Sequence, residues 1–247
     1  IALPFFPTTC TVLVTPASRN LITSAIFKGI IEEAPQQMDS IIALINELVR
    51  HLNLPPLHYH IDSNISIGAG MGSSAAIASA ITRSVYAYMN LCLSDVELFN
   101  WIQYSEKIAH GNPSGIDALT TSHNNAWIFQ KGKSPIKFET KLDAYLIVRE
   151  SGEIGNTLAA VSHVRELIKE AGKMALINEI GVAVEAAILA YQARNVINLG
   201  RAMNTAQSCL KSLGVSTPKI DLLVGLALSN GAVGAKLTGG GFGGCVI

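Results

Sequence analysis

Ile61-Asp-Ser-Asn-Ile-Ser-Ile-Gly-Ala-Gly-Met-Gly-Ser-Ser-Ala-Ala76 carries three alternating glycines, Gly68, Gly70 and Gly72, and runs into an Ala-rich segment that reaches Tyr88. Glycine adopts φ > 0 without strain and lets the main chain approach a ligand closely. A helix opening directly after such a loop aims unpaired N–H groups and the positive end of its dipole at one point. The combination predicts an anion site, most naturally for phosphate, built from the backbone of residues 67–74. A Gly-rich turn that merely packs tightly is the alternative. Two familiar nucleotide loops are excluded. The P-loop requires a Lys after its last Gly, where this chain has Ser73. In the dinucleotide fingerprint the third Gly would come one position later.

Composition narrows the possibilities. The 247 residues can bury a full core in one large or two small domains. The 18 basic and 18 acidic residues cancel, which argues against nucleic acid or an anionic membrane as partner. The segment Ser63–Thr82 is uncharged over 20 residues, long enough to span a bilayer. It consists largely of Gly, Ser, Ala and Asn, so a buried loop–helix unit is expected instead of a membrane span. Cys10, Cys92, Cys209 and Cys245 are scattered without a C-x-x-C pair, which suits reduced thiols and a cytoplasmic setting.

Along the chain, Cys10–Thr15 is β-rich and Pro16 closes it. Ile41, Ile42, Leu44, Ile45, Leu48, Val49 and Leu52 keep a helical period, ended at Asn53 before Pro55-Pro56. Leu57–Ile61 predicts a strand whose His58 and His60 share one face; with no third ligand nearby they are assigned to the strand surface. Ser94-Asp-Val-Glu97 has the form of a capping box, opening a helix to about His110. Phe99, Ile102 and Glu106 share a buried face of that helix, so the Glu106 carboxylate requires a hydrogen-bonding partner or a cation. Gly111 and Pro113 end the helix, and Asp117 follows the rigid turn Asn112-Pro-Ser-Gly115. Strands are expected at Ile1–Phe6, Ala126–Phe129, Ala144–Val148 and Ala232–Lys236. Helices are expected over about Asn156–Ala171, Ala175–Ala193 and Val196–Leu213, with another opening at Thr217-Pro218. Lys131–Pro135 marks a composition shift consistent with a hinge, dividing the chain into domains 1–135 and 136–247.

Three segments in order, Gly70-Met-Gly-Ser-Ser-Ala-Ala76, His110-Gly-Asn-Pro-Ser-Gly-Ile-Asp117 and Lys236-Leu-Thr-Gly-Gly-Gly-Phe-Gly-Gly-Cys245, closely resemble the GHMP small-molecule kinases. The narrow form of the middle segment resembles the mevalonate kinases among them. The resemblance covers essentially all of the chain. It implies an α+β fold of two domains, a ribosomal protein S5 domain 2-like N-terminal domain and a ferredoxin-like C-terminal domain, with the active site in the cleft between them. It implies ATP-dependent phosphorylation of the 5-hydroxyl of (R)-mevalonate, with Mg2+ as cofactor.

Carried over residue by residue, Ile67, Gly68, Ala69, Gly70, Met71, Gly72, Ser73 and Ser74 would cradle the phosphates of ATP. Ser74 and Glu106 would hold the metal, Asp117 would orient or deprotonate the acceptor hydroxyl, and Thr238 would face the substrate region. The structural alternatives are helix N-capping for Ser73 or Ser74, an Asx turn for Asp117 and a β-bend for the closing loop. His110 is assigned to its turn instead of to proton transfer. Ser66, Phe242 and Arg149-Glu150 depart from the family pattern. ATP and mevalonate are the expected partners, and a homodimer is a possible assembly. Another GHMP kinase acting on phosphomevalonate, a sugar or homoserine, or a non-catalytic regulator on the same fold, is the rival reading. The family also has a motif with a Lys and a Glu-His pair ahead of Ile1, and chain beyond the final loop, so both ends are expected to be missing from these residues.

Overall fold

A computed structural model describes residues 1–111, 113–123 and 125–247. By its internal contacts the chain forms two compact units: Ile1–Ile65 with Gly72–Lys137, and Ser66–Met71 with Phe138–Ile247.

The first unit is a four-stranded sheet covered on one face by helices. Strands β1 (Cys10–Pro16), β2 (Leu21–Thr23), β3 (Lys28–Ile30) and β4 (Leu57–Ser63) lie in the order β1-β4-β2-β3. β4 runs antiparallel to β1 and parallel to β2, and β3 returns antiparallel on β2. The two-residue alternation of a strand sends Val14, Ile22, Leu57 and Tyr59 into the core. Helices α1 (Asp39–Leu52), α2 (Ser73–Tyr88) and α3 (Asp95–His110) meet them with Leu44, Ile45, Leu48, Ala75, Ala78, Ile81, Val85, Leu98 and Ile102. The alanines of α2 let it lie deep in this core; Ala75 and Ala78 are fully buried. Both ends of the expected helices have physical causes. Asn53 ends α1 in the left-handed region at φ 51°. Ser94 opens α3 with a complete capping box, its Oγ accepting from the Glu97 N–H at 3.2 Å. The outer face of β4 carries His58 and His60 with ring centroids 3.7 Å apart, and Thr23 Oγ1 lies 2.8 Å from His58 Nε2.

A short helix absent from the sequence reading, α4 (Ile116–Ser122), follows Gly115, and β5 (Ala126–Ile128) pairs with β6 (Ile136–Phe138). The expected strand at Ile1–Phe6 reduces to one bridge, Ala2 with Trp127.

In the second unit, β7 (Arg149–Glu150) pairs antiparallel with β8 (Cys245–Val246). Helices α5 (Thr157–Leu167), α6 (Lys173–Gln192), α7 (Val196–Ser212) and α8 (Pro218–Ser229) fill the rest. Its core gathers Ala160, Val215, Ile220, Val224, Ala235, Leu237 and Val246. Two sequence expectations fail here. Ala144–Val148 forms no strand; Tyr145 is 98% and Ile147 74% exposed, and pairing begins only at Arg149. Ala232–Lys236 is not a strand either, because Gly200 of α7 abuts the Val233–Gly234 backbone; a Cβ at Gly200 would stand 2.2 Å from Val233 O. Asn204 secures this stretch, donating to Val233 O at 3.3 Å and accepting from Ala235 N–H at 3.0 Å. Among the described residues the helix long and apolar enough to cross a membrane is α6, not the 63–82 segment considered from the sequence, whose second half forms α2. All four cysteines are free thiols.

Candidate active site

The phosphate loop divides between the units, so its two halves are described separately. In the first unit Gly72, at φ +68°, is the N-cap of α2, and no side chain caps that end. Ser73 and Ser74 therefore stand inside the first turn, which excludes an N-cap role for either. Ser74 Oγ instead donates to Glu106 Oε1 at 2.6 Å. Glu106 lies on the inward face of α3, as its spacing from Phe99 and Ile102 predicts, and is only 2% exposed. Its other oxygen, Oε2, is 3.6 Å from His110 Nε2, one helical turn on. Asp117 sits in the first turn of α4, not in an Asx turn, and its carboxylate faces the loop: a Cβ on Gly72 would lie 3.6 Å from Asp117 Oδ1. Ser74, Glu106, His110, Asp117 and Gly72 are thus gathered in one unit by three helices. Asn112 of the middle motif lies outside the described residues.

The electrostatics follow from burial. Desolvation pushes the Glu106 carboxyl above its ordinary range, opposed by the Ser74 hydrogen bond and by His110 and reinforced by the charge of Asp117. Asp117 is raised by burial as well, with His110 as the opposing influence. Among the described residues neither carboxylate has a Lys or Arg within ion-pair distance. Two desolvated carboxylates beside a serine hydroxyl make a hard-oxygen donor set, which suits a small divalent cation that keeps several waters. The approach of His110 to Glu106 was not read from the sequence, although their i, i+4 spacing held the signal.

In the second unit, residues 66–71 are clasped by the closing Gly-rich loop and by 153–155. The Gly155 N–H donates to Gly68 O at 2.8 Å. Gly70 meets the closing loop backbone to backbone; a Cβ there would stand 2.9 Å from Thr238 O and 3.2 Å from Gly239 Cα. Only glycine fits that approach, and Gly70 also takes φ +72°. Thr238 N–H donates to Cys245 O at 2.9 Å, which fixes its place beside Gly70. Ser66 Oγ donates to the Glu150 carboxylate, joining two of the positions that depart from the family pattern. Phe242 holds a positive φ of 57° and packs its ring 5.5 Å from that of His163.

The pattern described as GHMP kinases N terminal domain matches residues 39–124, and that described as GHMP kinases C terminal matches residues 184–247. The mevalonate kinase of Aeropyrum pernix is 34% identical over 214 residues, covering 85% of this chain and 66% of that protein. The chain therefore spans just under two thirds of that relative's length. A crystal structure of mevalonate kinase from methicillin-resistant Staphylococcus aureus shares 30% identity at a TM-score of 0.68, covering 95% of this chain and 77% of its own. The fold also matches L. major mevalonate kinase, solved in complex with R-mevalonate, at a TM-score of 0.79 and 24% identity, over 97% and 76% of the two chains. With both domain patterns in order and relatives aligned along most of its length, the chain belongs to the GHMP kinase family.

Proposed function

We propose that this chain carries the ATP-dependent phosphorylation of the 5-hydroxyl of (R)-mevalonate, giving ADP and 5-phosphomevalonate. The observation that carries the reading is the meeting of Ser74, Glu106 and Asp117 around the mouth of α2. Phosphoryl transfer depends mainly on positioning and on charge stabilisation, and these residues can divide that work. Backbone N–H groups of residues 67–74 cradle the phosphates. Ser74 and Glu106 would hold Mg2+, which when bound would offset negative charge on the phosphate oxygens. Asp117 accepts or orients the hydroxyl proton while the acceptor oxygen bonds to the terminal phosphorus and ADP departs; a carboxylate raised by burial is a better base than an exposed one. Mevalonate as the acceptor rests on the relatives that bear that name. The free thiols support a reducing, cytoplasmic setting. A homodimer rests on the family resemblance alone and is read directly from light scattering.

The test is ADP release by the 247-residue chain with Mg-ATP and mevalonate, phosphomevalonate, galactose or homoserine in turn. Turnover is expected with mevalonate alone, and Asp117→Asn is expected to lower it by about 100-fold or more. Turnover confined to another acceptor would replace the substrate. Nucleotide binding without turnover on any acceptor would favour a regulator on the same fold.

A further inference from the structure

The segment that feeds the closing loop is held on its two edges by different means. Lys236 exchanges both backbone hydrogen bonds with Ile247, and Thr238 N–H donates to Cys245 O at 2.9 Å, so these even-numbered residues turn their backbone groups toward β8. Thr238 O lies on that edge too, and there it receives Gly70: a Cβ on Gly70 would stand 2.9 Å from Thr238 O. The odd-numbered residues turn theirs the other way, toward α7, where two side-chain amides take the place of a strand. Asn204 accepts from Ala235 N–H at 3.0 Å and donates to Val233 O at 3.3 Å. One turn on, Gln207 Oε1 accepts from Leu237 N–H at 2.9 Å.

Gln207 is 6% exposed, and nothing in the roles above uses it. Its amide can face only one way, because Leu237 N–H needs an acceptor. The Gln207 Nε2 group then donates to Ser216 Oγ at 3.0 Å, and the Ser216 hydroxyl donates to Asp221 Oδ1 at 2.7 Å. Lys211 Nζ closes the chain 2.9 Å from Asp221 Oδ2. Every donor in this line has its acceptor, so the Leu237 peptide is pinned from behind. In front of it the fit is backbone on backbone, since a Cβ on Gly239 would in turn lie 2.9 Å from Gly70 Cα. No side chain stands between to absorb a shift, and a displaced Leu237 peptide carries Gly70 with it.

We propose that Gln207 is a positioning residue for the phosphoryl donor. By holding the Leu237 peptide it fixes Thr238 and Gly239 where they seat Gly70, and so sets the aim of the phosphate-loop N–H groups at ATP. This assignment rests on the kinase reading, but only on its nucleotide and not on the identity of the acceptor.

Steady-state kinetics and calorimetric titration of the 247-residue chain, Gln207→Met, Gln207→Glu and Asn204→Ala test it. Gln207→Met keeps the bulk but leaves Leu237 N–H unpaired; it is expected to raise the KM for ATP by about tenfold, with the KM for the acceptor and the affinity for adenosine unchanged. Gln207→Glu, which keeps an acceptor for Leu237 N–H, is expected to restore most of the loss. Asn204→Ala is expected to lower the melting temperature and leave the KM for ATP alone, because its bonds fall before the β8 pairing at Lys236. Gln207→Asn, whose amide is one methylene short of both partners, is read with the same expectation if Gln207→Met does not fold. An unchanged KM for ATP in a folded Gln207 variant overturns the proposal and leaves the kinase reading intact. An equal rise in Asn204→Ala, or an equal loss of adenosine, also overturns it, as general destabilisation. If the unsubstituted chain binds ATP without turnover, the dissociation constants for ATP and adenosine decide in the same way. If it binds no ATP, the kinase reading and this assignment fall together.

Discussion

Asp117 and Glu106 are ionisable groups in surroundings that penalise their ionisation, and this has a measurable effect on the empty protein. For both, the folded state raises the carboxyl above its unfolded range. Between those two ranges the folded chain binds more protons than the unfolded chain, so stability falls as pH rises through that window. Above it the whole penalty is present. Asp117→Asn and Glu106→Gln are therefore expected to stabilise the ligand-free chain near neutral pH by about 1 kcal/mol each, while lowering turnover. Thermal melts from pH 4 to pH 8 check this: the gap between variant and unsubstituted chain should widen upward, and a constant gap would refute the account. The burial of Glu106 was legible in its spacing from Phe99 and Ile102 along one helix face. The adjacency of Asp117 to Gly72 was not, because α4 has only seven residues and no helical period long enough to register.

At the level of elements, the helix ends were readable where a side chain makes the cap. Ser94 with Glu97 is such a case, and Ser94→Ala is expected to cost about 1 kcal/mol of stability with turnover retained. Denaturant titration measures the loss. Contacts of backbone on backbone left no trace in local pattern. Gly200 stands within α7, and Val233 O fills the place a methyl group would take. Gly200→Ala is expected to cost about 3 kcal/mol or more, well beyond its favourable helix propensity, and a gain in melting temperature would refute the packing. The failed strand at Ala144–Val148 shows a different limit. Its residues favour β structure, but a strand also needs a paired edge, and along this stretch the pairing with β8 begins at Arg149.

For the whole molecule, a ligand that binds only the folded chain raises its stability by mass action. Mg-ATP at about 100 times its dissociation constant is expected to add about 2.7 kcal/mol, seen as a rise in melting temperature that Glu106→Gln diminishes. A composition shift near residues 131–135 was legible in the sequence, and the compact units part at Lys137–Phe138. The assignment of Ser66–Met71 to the second unit was not legible, since it depends on Gly68, Ala69 and Gly70 meeting residues more than 80 positions away.

Those six residues also bear on how such a molecule can be inherited. A segment encoded within the first unit's stretch of sequence completes the packing of the second, through Gly155 on Gly68, Gly244 on Ala69 and Thr238 on Gly70. Gene fusion or exon exchange at the Lys137–Phe138 crossing would transfer the second unit without one of its own pieces. The two halves are interleaved in sequence, and shuffling that treats them as separate modules would have to carry the glycine loop along or leave a gap where it belongs.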